Sequence, residues 1–173
     1  SDAEVRLLEN YLGARGIEAL IEVVPFRNVK VALQDALPEY KELNITVPLE
    51  VALDKLLFSL IWKEIEKLSG IDKEEARRHI GMEADLQNIT TILRCKALGI
   101  EQETIKKFLI PSRYFFGRYL QERCLSAATI GDIFNILLNT HYKELVERIK
   151  DIYEKSGSIT DIEPAVEQYK AHE

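Results

Sequence analysis

The stretch "EADLQNITTILRCK", residues 83–96, decides the fold class. Its apolar residues recur every three or four positions, which is the spacing of one face of an α-helix. Between them stand the polar residues Glu83, Asp85, Asn88, Arg94 and Lys96, which we call the polar seam. Because eleven residues make nearly three helical turns, Glu83 and Arg94 share one side of the predicted helix, as do Asp85 and Lys96.

The rest of the chain continues the helical spacing. No convincing run of strict alternation between apolar and polar residues occurs, so the sequence predicts an all-α helical bundle. The predicted helices are residues 2–13, 15–24, 28–37, 48–69, 73–98, 101–109, 113–124, 127–138, 140–155 and 160–171. Residues 48–69 are apolar around most of the circumference, which predicts a helix at the centre of the bundle.

Composition and charge limit the classes of function. A chain of 173 residues can bury one sizeable core, and 46% hydrophobic with 30% charged residues is typical of a folded, helix-rich protein. The net charge of -6 and the isoelectric point near 5.3 argue against a general nucleic-acid binder, because a polyanion requires a clustered excess of Lys and Arg.

Neither thiol chemistry nor a membrane span is indicated. Cys95 and Cys124 have no metal-ligand spacing and are too few for a disulfide scaffold, which fits a reducing compartment. The most apolar stretch, residues 56–62, is far shorter than the ~20 residues of a membrane-spanning helix. The first residues lack an initiator Met and the pattern of a signal peptide, so we expect a processed or excised piece.

Two stretches of the chain resemble each other. "YKELNITVPLEVAL" (40–53) and "YEKSGSITDIEPAV" (153–166) both begin with Tyr, and they place Glu50 and Glu163 at the same offset. Residues 17–37 and 130–149, upstream of each stretch, share a two-helix pattern. This predicts a domain-sized duplication. The alternative is that Leu-Glu-x-Ala-Leu is ordinary helix composition.

Enzymatic motifs are scarce. His79, Glu83 and Asp85 could be metal ligands, but a zinc site on a helix requires a second His on the same face, and His141 and His172 lie in distant segments. No Gly-x-Ser-x-Gly elbow and no Gly-rich phosphate loop occurs. We therefore predict no catalytic residue, no metal ligand and no cofactor.

The segment "SRYFFGRYLQER" (112–123) interleaves arginines with aromatic residues. Such a pattern can stack on bases or lie at a lipid headgroup boundary. An amphipathic helix that packs its aromatic side chains on the core is the preferred interpretation, since the overall charge is acidic.

The polar seam has two possible roles, an active site or a structural one. A buried charge without a partner costs on the order of 3–5 kcal/mol, so a seam facing the bundle requires partners on neighbouring elements. Enzymes with paired carboxylates usually add a cleft, a metal or a cofactor motif. We therefore interpret the seam as structural, and expect Arg94→Ala or Asp85→Ala to cost at least ~2 kcal/mol.

The same residues carry a family resemblance. "EADLQNITTILRCKALGIEQETIKKFLIP" (83–111) resembles the signature of the C subunit of the archaeal and bacterial V/A-type ATP synthases, which is related to the d subunit of the eukaryotic vacuolar ATPase. "PLEVALDKLLF" (48–58), "THYKELVERI" (140–149) and "GSITDIEPAV" (157–166) resemble further family elements in the same order. The signature positions are filled by Glu83, Asp85, Leu86, Asn88, Ile89, Leu93, Arg94, Lys96, Gly99 and Pro111.

The resemblance implies a fold and a set of partners. Members of the family resemble a three-part, pseudo-threefold funnel of helices that is longer than this chain. The chain would then be a fragment, with residues 1–125 as the middle repeat unit and residues 126–173 as the start of a truncated one. The implied function is non-catalytic. The protein would be a rotor adaptor at the cytoplasmic face of the cell membrane, linking the D and F subunits of the central stalk to the proteolipid ring of a proton- or sodium-translocating ATPase.

Two other functions remain open. An unrelated all-helical protein-interaction module would require an exposed apolar strip. A small-molecule enzyme would require His79, Glu83 and Asp85 to converge in a pocket. We also expect that a fragment of this kind can associate with itself through an apolar patch.

Overall fold

The chain is an all-α protein, which confirms the predicted fold class. A computed structural model describes residues 16–111 and 114–171, and every regular element in these ranges is helical. The elements are α1 (16–23), α2 (Arg27–Leu43), α3 (Val47–Ile65), α4 (Gly70–Ala97), α5 (Gln102–Phe108), α6 (Arg118–Ser126), α7 (Ile130–Leu137), α8 (Lys143–Ser156), a 3-10 helix (Thr160–Ile162) and α9 (Glu163–Lys170). The helix predicted over residues 2–13 lies outside the described residues.

The chain divides into two compact units, Ser1–Leu60 and Ile61–Glu173, and the division falls within α3. The division predicted between residues 125 and 126 separates repeat units of the sequence and not compact units of the structure. It stays a prediction. No helix in the described part of the chain is long and apolar enough to cross a membrane.

In the first unit, α2 is longer than predicted. The predicted helix ended at residue 37, but α2 continues through Pro38 to Leu43. Proline has a helical φ, but inside a helix it removes one backbone hydrogen bond and its ring crowds the carbonyl oxygen four residues earlier, and α2 accommodates both effects at Pro38. The helix ends at Asn44, whose φ of 53° lies in the left-handed region and whose N–H donates to the Tyr40 carbonyl oxygen.

Helix α3 is not buried on all sides, so its predicted central position is wrong. Val47, Leu49 and Val51 are buried in its first turns, whereas Leu53 is 40% exposed and Leu57 is 54% exposed. The distribution of apolar residues around α3 predicted that they are buried, and this holds for only part of the helix. The remaining leucines form an exposed apolar surface.

The second unit is built around α4. This helix packs against α5, α7 and α9, and each helix from α5 to α9 also packs against the next. Helix α4 ends at Ala97, one residue before the predicted end: Gly99, with a φ of 70°, donates its N–H to the Lys96 carbonyl oxygen, and the Ile100 N–H donates to the Cys95 carbonyl oxygen at 2.9 Å. The buried core includes Leu86, Ile92, Leu93, Ile105, Phe116, Leu125, Ile133, Phe134, Leu137, Ile149 and Ile162.

Two helix ends in the chain have the same geometry. Tyr153 and Gly157 repeat the arrangement of Tyr40 and Asn44: Gly157 has a φ of 71°, and its N–H donates to the Tyr153 carbonyl oxygen at 2.8 Å. After both helix ends the next helical element begins three residues later, α3 at Val47 and the 3-10 helix at Thr160. Because a left-handed residue is common at helix C-termini, the duplication stays a prediction.

Candidate functional site

Asp85 is the centre of the polar arrangement on α4. Its side chain is fully buried. One carboxylate oxygen accepts the Tyr114 N–H at 3.0 Å, and the other accepts the N–H groups of Phe115 at 2.6 Å and Phe116 at 2.7 Å. The second oxygen also accepts the Tyr142 hydroxyl at 2.8 Å. Asp85 therefore joins α4 to the segment before α6 and to the residue that precedes α8.

This arrangement explains how a carboxylate can be buried. Successive backbone N–H groups that point to one place form a concave anion site, and hydrogen bonds to a charged acceptor are stronger than neutral ones. Four donors offset much of the cost of removing the charge from water. The anion site is therefore already filled by the protein's own carboxylate.

The Asp85 contacts also fix where α6 begins. The sequence predicted a helix from residue 113, but residues 114–116 form a turn and the helix starts at Arg118. The N–H groups of this turn bind Asp85, and Gly117 occupies the N-cap position. The predicted start was wrong because a residue far away in sequence binds these N–H groups. Residues 112 and 113 lie outside the described part of the chain.

Aromatic side chains pack around this turn. Phe116 is buried, whereas Tyr114 and Phe115 are about 40% exposed. The Phe115 ring stacks on His141 with a centroid distance of 3.8 Å, and it lies 6.3 Å edge-on from Tyr142. The turn is therefore held at its backbone by Asp85 and at its side chains by the residues before α8.

Asn88 ties α4 to a different segment. It lies one turn beyond Asp85 and is also fully buried. Its Nδ2 donates to the Ile110 carbonyl oxygen at 3.0 Å, and its Oδ1 accepts the Ile110 N–H at 2.7 Å. The side-chain amide thus satisfies both backbone groups of a buried residue in the loop after α5, as a neighbouring β-strand would.

The two cations of the polar seam reach further elements. Lys96 Nζ donates to the Ala127 carbonyl oxygen at 3.1 Å, in the connection between α6 and α7. Arg94 Nε lies 3.6 Å from Glu163 Oε1 at the start of α9. Glu83 is half-buried, and the structure gives it no hydrogen-bond or ion-pair partner among the residues it describes. Apart from Glu83, the seam residues therefore contact separate segments and do not converge on one point.

Arg94 should contribute less than Asp85 to stability. Its side chain is 30% exposed and that of Glu163 is 40% exposed, so solvent screens their attraction. We expect Arg94→Ala to lower the free energy of unfolding by about 1 kcal/mol, measured by urea denaturation. Lys155→Ala, which removes an exposed pair with Asp151, is the control and should change little. A loss above ~2 kcal/mol for Arg94→Ala would contradict this and support the larger value expected from the sequence.

The residues considered as a catalytic or metal-binding set do not assemble. His79 is exposed, and Asp85 faces its four donors. The cavity lined by His79 and Glu83 has a volume of about 10 Å³, which is space for no more than one water molecule. Within residues 16–111 and 114–171, no group of three His, Cys, Asp or Glu side chains could hold a metal ion.

Two residues of the site were not assigned to it from the sequence. Tyr142 supplies the hydroxyl that binds Asp85, and only its place in "THYKELVERI" pointed to it. Gly81 lies one turn before Asp85 on the same face of α4, and a Cβ built there would lie 2.9 Å from the Tyr114 Cβ. Gly81 therefore lets the turn at residues 114–116 approach the helix closely.

Gly81→Ala is expected to destabilise the protein. Alanine is normally the better helix residue by about 1 kcal/mol, but here its Cβ would collide with Tyr114. We expect a net loss of about 1–3 kcal/mol in thermal or urea denaturation. Gly131→Ala is the matched control, because its Cβ would meet nothing closer than 3.6 Å. Equal or greater stability of Gly81→Ala would contradict the close approach.

The two thiols are predicted to be unreactive in the folded chain. Cys95 and Cys124 are buried, and burial raises the pKa of the Cys124 thiol to about 12. At pH 8 only about one Cys124 in ten thousand would be a thiolate. A chromogenic disulfide reagent should therefore modify Cys124 very slowly in the native protein. In urea, modification should become as fast as unfolding allows. Rapid labelling with an unchanged circular dichroism spectrum would contradict this.

Comparisons with known proteins agree with one another. The family model described as "ATP synthase (C/AC39) subunit" matches residues 4–173. The C subunit of the A-type ATP synthase of Methanothermobacter thermautotrophicus is 21% identical over 161 residues, which cover 93% of this chain and 42% of that protein. The protein of the same name from Methanocaldococcus jannaschii is 28% identical over 137 residues, covering 79% of this chain and 34% of its own length.

A third relative extends the comparison. The protein of this name from Pyrococcus horikoshii is 27% identical over 162 residues, covering 88% of this chain and 42% of that protein. The chain thus spans 34–42% of the length of these relatives. No solved structure matches the chain.

Proposed function

Because the chain belongs to the ATP synthase (C/AC39) subunit family, we propose that it is a structural part of a rotary ATP synthase and does not itself catalyse a reaction. The observation that carries this proposal is the use of the polar seam. The side chains of Asp85 and Asn88 form hydrogen bonds with backbone atoms and with one tyrosine hydroxyl of the same chain. Both side chains are buried, so these hydrogen bonds serve the protein's own backbone and Tyr142.

The contacts suit a part that transmits force. Asp85, Asn88 and Lys96 tie α4 to segments before α6, after α5 and before α7. Sliding of α4 along its axis would break these hydrogen bonds together. The net contribution of each to stability is about 0.5–1.5 kcal/mol, and it is larger when one partner is charged. A long helix held at several depths therefore resists shear between the elements around it.

The proposed partners are the D and F subunits of the central stalk on one side and the membrane proteolipid ring on the other. The chain would lie at the cytoplasmic face of the cell membrane, bound peripherally through the ring, in a machine that moves protons or sodium ions. The relatives carry the name of an A-type ATP synthase subunit, which supports membership of such a complex. These partners and this location are inferences from the family.

A binding experiment tests the proposal. The chain, immobilised on a surface, should retain a purified complex of the D and F stalk subunits from the cognate ATP synthase. In a separate channel it should also retain the detergent-solubilised proteolipid ring. The control is an unrelated all-helical protein of similar charge. Retention of neither partner by a chain that is folded by circular dichroism would contradict the adaptor function of this chain.

One observation favours a second candidate, a helical module that binds proteins outside any rotary machine. Such a module requires an exposed apolar strip, and α3 carries Leu53, Leu57 and Leu60, each at least 40% exposed. If the immobilised chain retains neither stalk nor ring, this candidate replaces the first.

A further inference from the structure

A cleft between α5 and α6 lies outside the polar seam. The two helices pack against each other within the second compact unit. The cleft has a volume of about 430 Å³, which is far more than one water molecule occupies and is typical of a site for a small molecule. Its apolar wall includes Leu109 and Leu125, and its polar wall includes Lys106, Arg118, Gln121 and Glu122.

Gln121 leaves a buried acceptor at the cleft. This residue is only 6% exposed, and its Nε2 donates to the Phe116 carbonyl oxygen at 3.1 Å. Because a carbonyl oxygen can only accept, this bond assigns the nitrogen and the oxygen of the amide. The Oε1 atom then has no donor among the residues that the structure describes, whereas most buried polar atoms in proteins are hydrogen-bonded. A donor from outside the chain therefore has to reach Oε1.

The charges around the cleft favour an anion beside that acceptor. Arg118 is the first residue of α6, is exposed, and forms no ion pair or side-chain hydrogen bond within the described part of the chain. No side chain caps the start of α6, and a helix start attracts negative charge. On the opposite wall, Lys106 Nζ lies 3.0 Å from Glu103 and 3.3 Å from Glu122. Because two carboxylates already neutralise this lysine, Arg118 is the cation that an incoming anion would meet.

We propose that the cleft binds a small anion that also carries a hydroxyl group, of the class of phosphorylated or carboxylated polyols. Its anionic group binds Arg118 at the start of α6, and its hydroxyl donates to Gln121 Oε1. These two residues are three positions apart on one helix, so they lie on the same face with Cβ atoms about 5–6 Å apart. A three-carbon molecule spans this distance, and Leu109 and Leu125 offer apolar contact to its carbon skeleton.

The proposal goes beyond the structural function and does not depend on stalk or ring binding. Isothermal titration calorimetry of the full chain with glycerol 3-phosphate tests it, and saturable binding in the millimolar range or tighter is expected. Arg118→Gln should weaken this binding at least about tenfold, because the charged partner of the phosphate is lost. The matched control is Arg123→Gln, on the same helix but outside the cleft, where the guanidinium lies 5.8 Å from the Tyr119 ring centroid. It should leave binding unchanged.

The contribution of the hydroxyl is tested separately. Sulfate carries charge but no donor, so the native chain should bind it at least about fivefold more weakly than glycerol 3-phosphate. Gln121→Met keeps the length of the side chain and should abolish this preference, with thermal denaturation showing that the variant is folded.

Three results would overturn the proposal. Absence of binding up to about 10 mM would mean that water alone satisfies Gln121. Equal binding of sulfate and glycerol 3-phosphate by the native chain would mean an adventitious ion only. Equal weakening by Arg118→Gln and Arg123→Gln would mean general attraction to positive charge.

Discussion

Replacing Asp85 by asparagine is expected to lower the free energy of unfolding by about 3–5 kcal/mol at neutral pH. Asparagine has nearly the same shape, but it has one acceptor oxygen where the carboxylate has two. Its NH₂ group would face N–H donors of the turn at residues 114–116. The variant therefore loses charge-assisted bonds and also brings donors against donors in a buried site.

Urea denaturation followed by circular dichroism measures this loss. The matched control is Asp151→Asn, which makes the same chemical change in an exposed pair with Lys155 and should alter stability by less than about 1 kcal/mol. A loss below about 1 kcal/mol for Asp85→Asn would mean that water, rather than the turn, solvates this carboxylate. The structural interpretation of the seam would then be wrong.

The second large effect is expected for Asn88→Asp. The substitution keeps the shape but replaces the NH₂ donor by an oxygen, which would face the Ile110 carbonyl oxygen at the present distance of 3.0 Å. A buried charge with one remaining donor, the Ile110 N–H, should cost about 3 kcal/mol at pH 8.

The pH dependence of this variant gives a sharper test. The introduced carboxyl should have a folded-state pKa above its unfolded value, because burial and the facing carbonyl oppose ionisation. The protonated acid can donate to the Ile110 carbonyl oxygen, so the loss should be smallest below the unfolded-state pKa of about 4. It should grow as the pH rises from there to the folded-state pKa, and stay constant above that value. Asn135→Asp, at an exposed position of α7, is the control. A loss independent of pH would contradict the assigned pairing.

The sequence predicted the fold class and the helix α4 because its signals are local. Apolar spacing identifies an amphipathic helix, and Gly99 marks its end, without any knowledge of the partners. Spacing alone also placed the five seam residues on one helix. Which segment each one binds could not be predicted, because Ile110, Tyr114 and Tyr142 come near α4 only after the chain has folded.

The wrong predictions have the same origin. The start of α6 depends on Asp85, which lies about thirty residues earlier in the chain. The continuation of α2 past Pro38 requires the helix to accommodate a missing hydrogen bond and a crowded carbonyl oxygen, and the local sequence does not tell whether packing offsets that cost. The exposure of Leu53 and Leu57 depends on what covers α3, and the apolar pattern of a helix does not contain that information.

Hydrogen exchange at the turn before α6 tests the central claim most directly. The amides of Tyr114, Phe115 and Phe116 lie in a short non-helical segment whose first two side chains are partly exposed. If the Asp85 carboxylate binds them, they should exchange as slowly as buried amides of α4, and Asp85→Asn should abolish that protection. Exchange of these three amides at the rate of an unstructured peptide in the native protein would contradict the account.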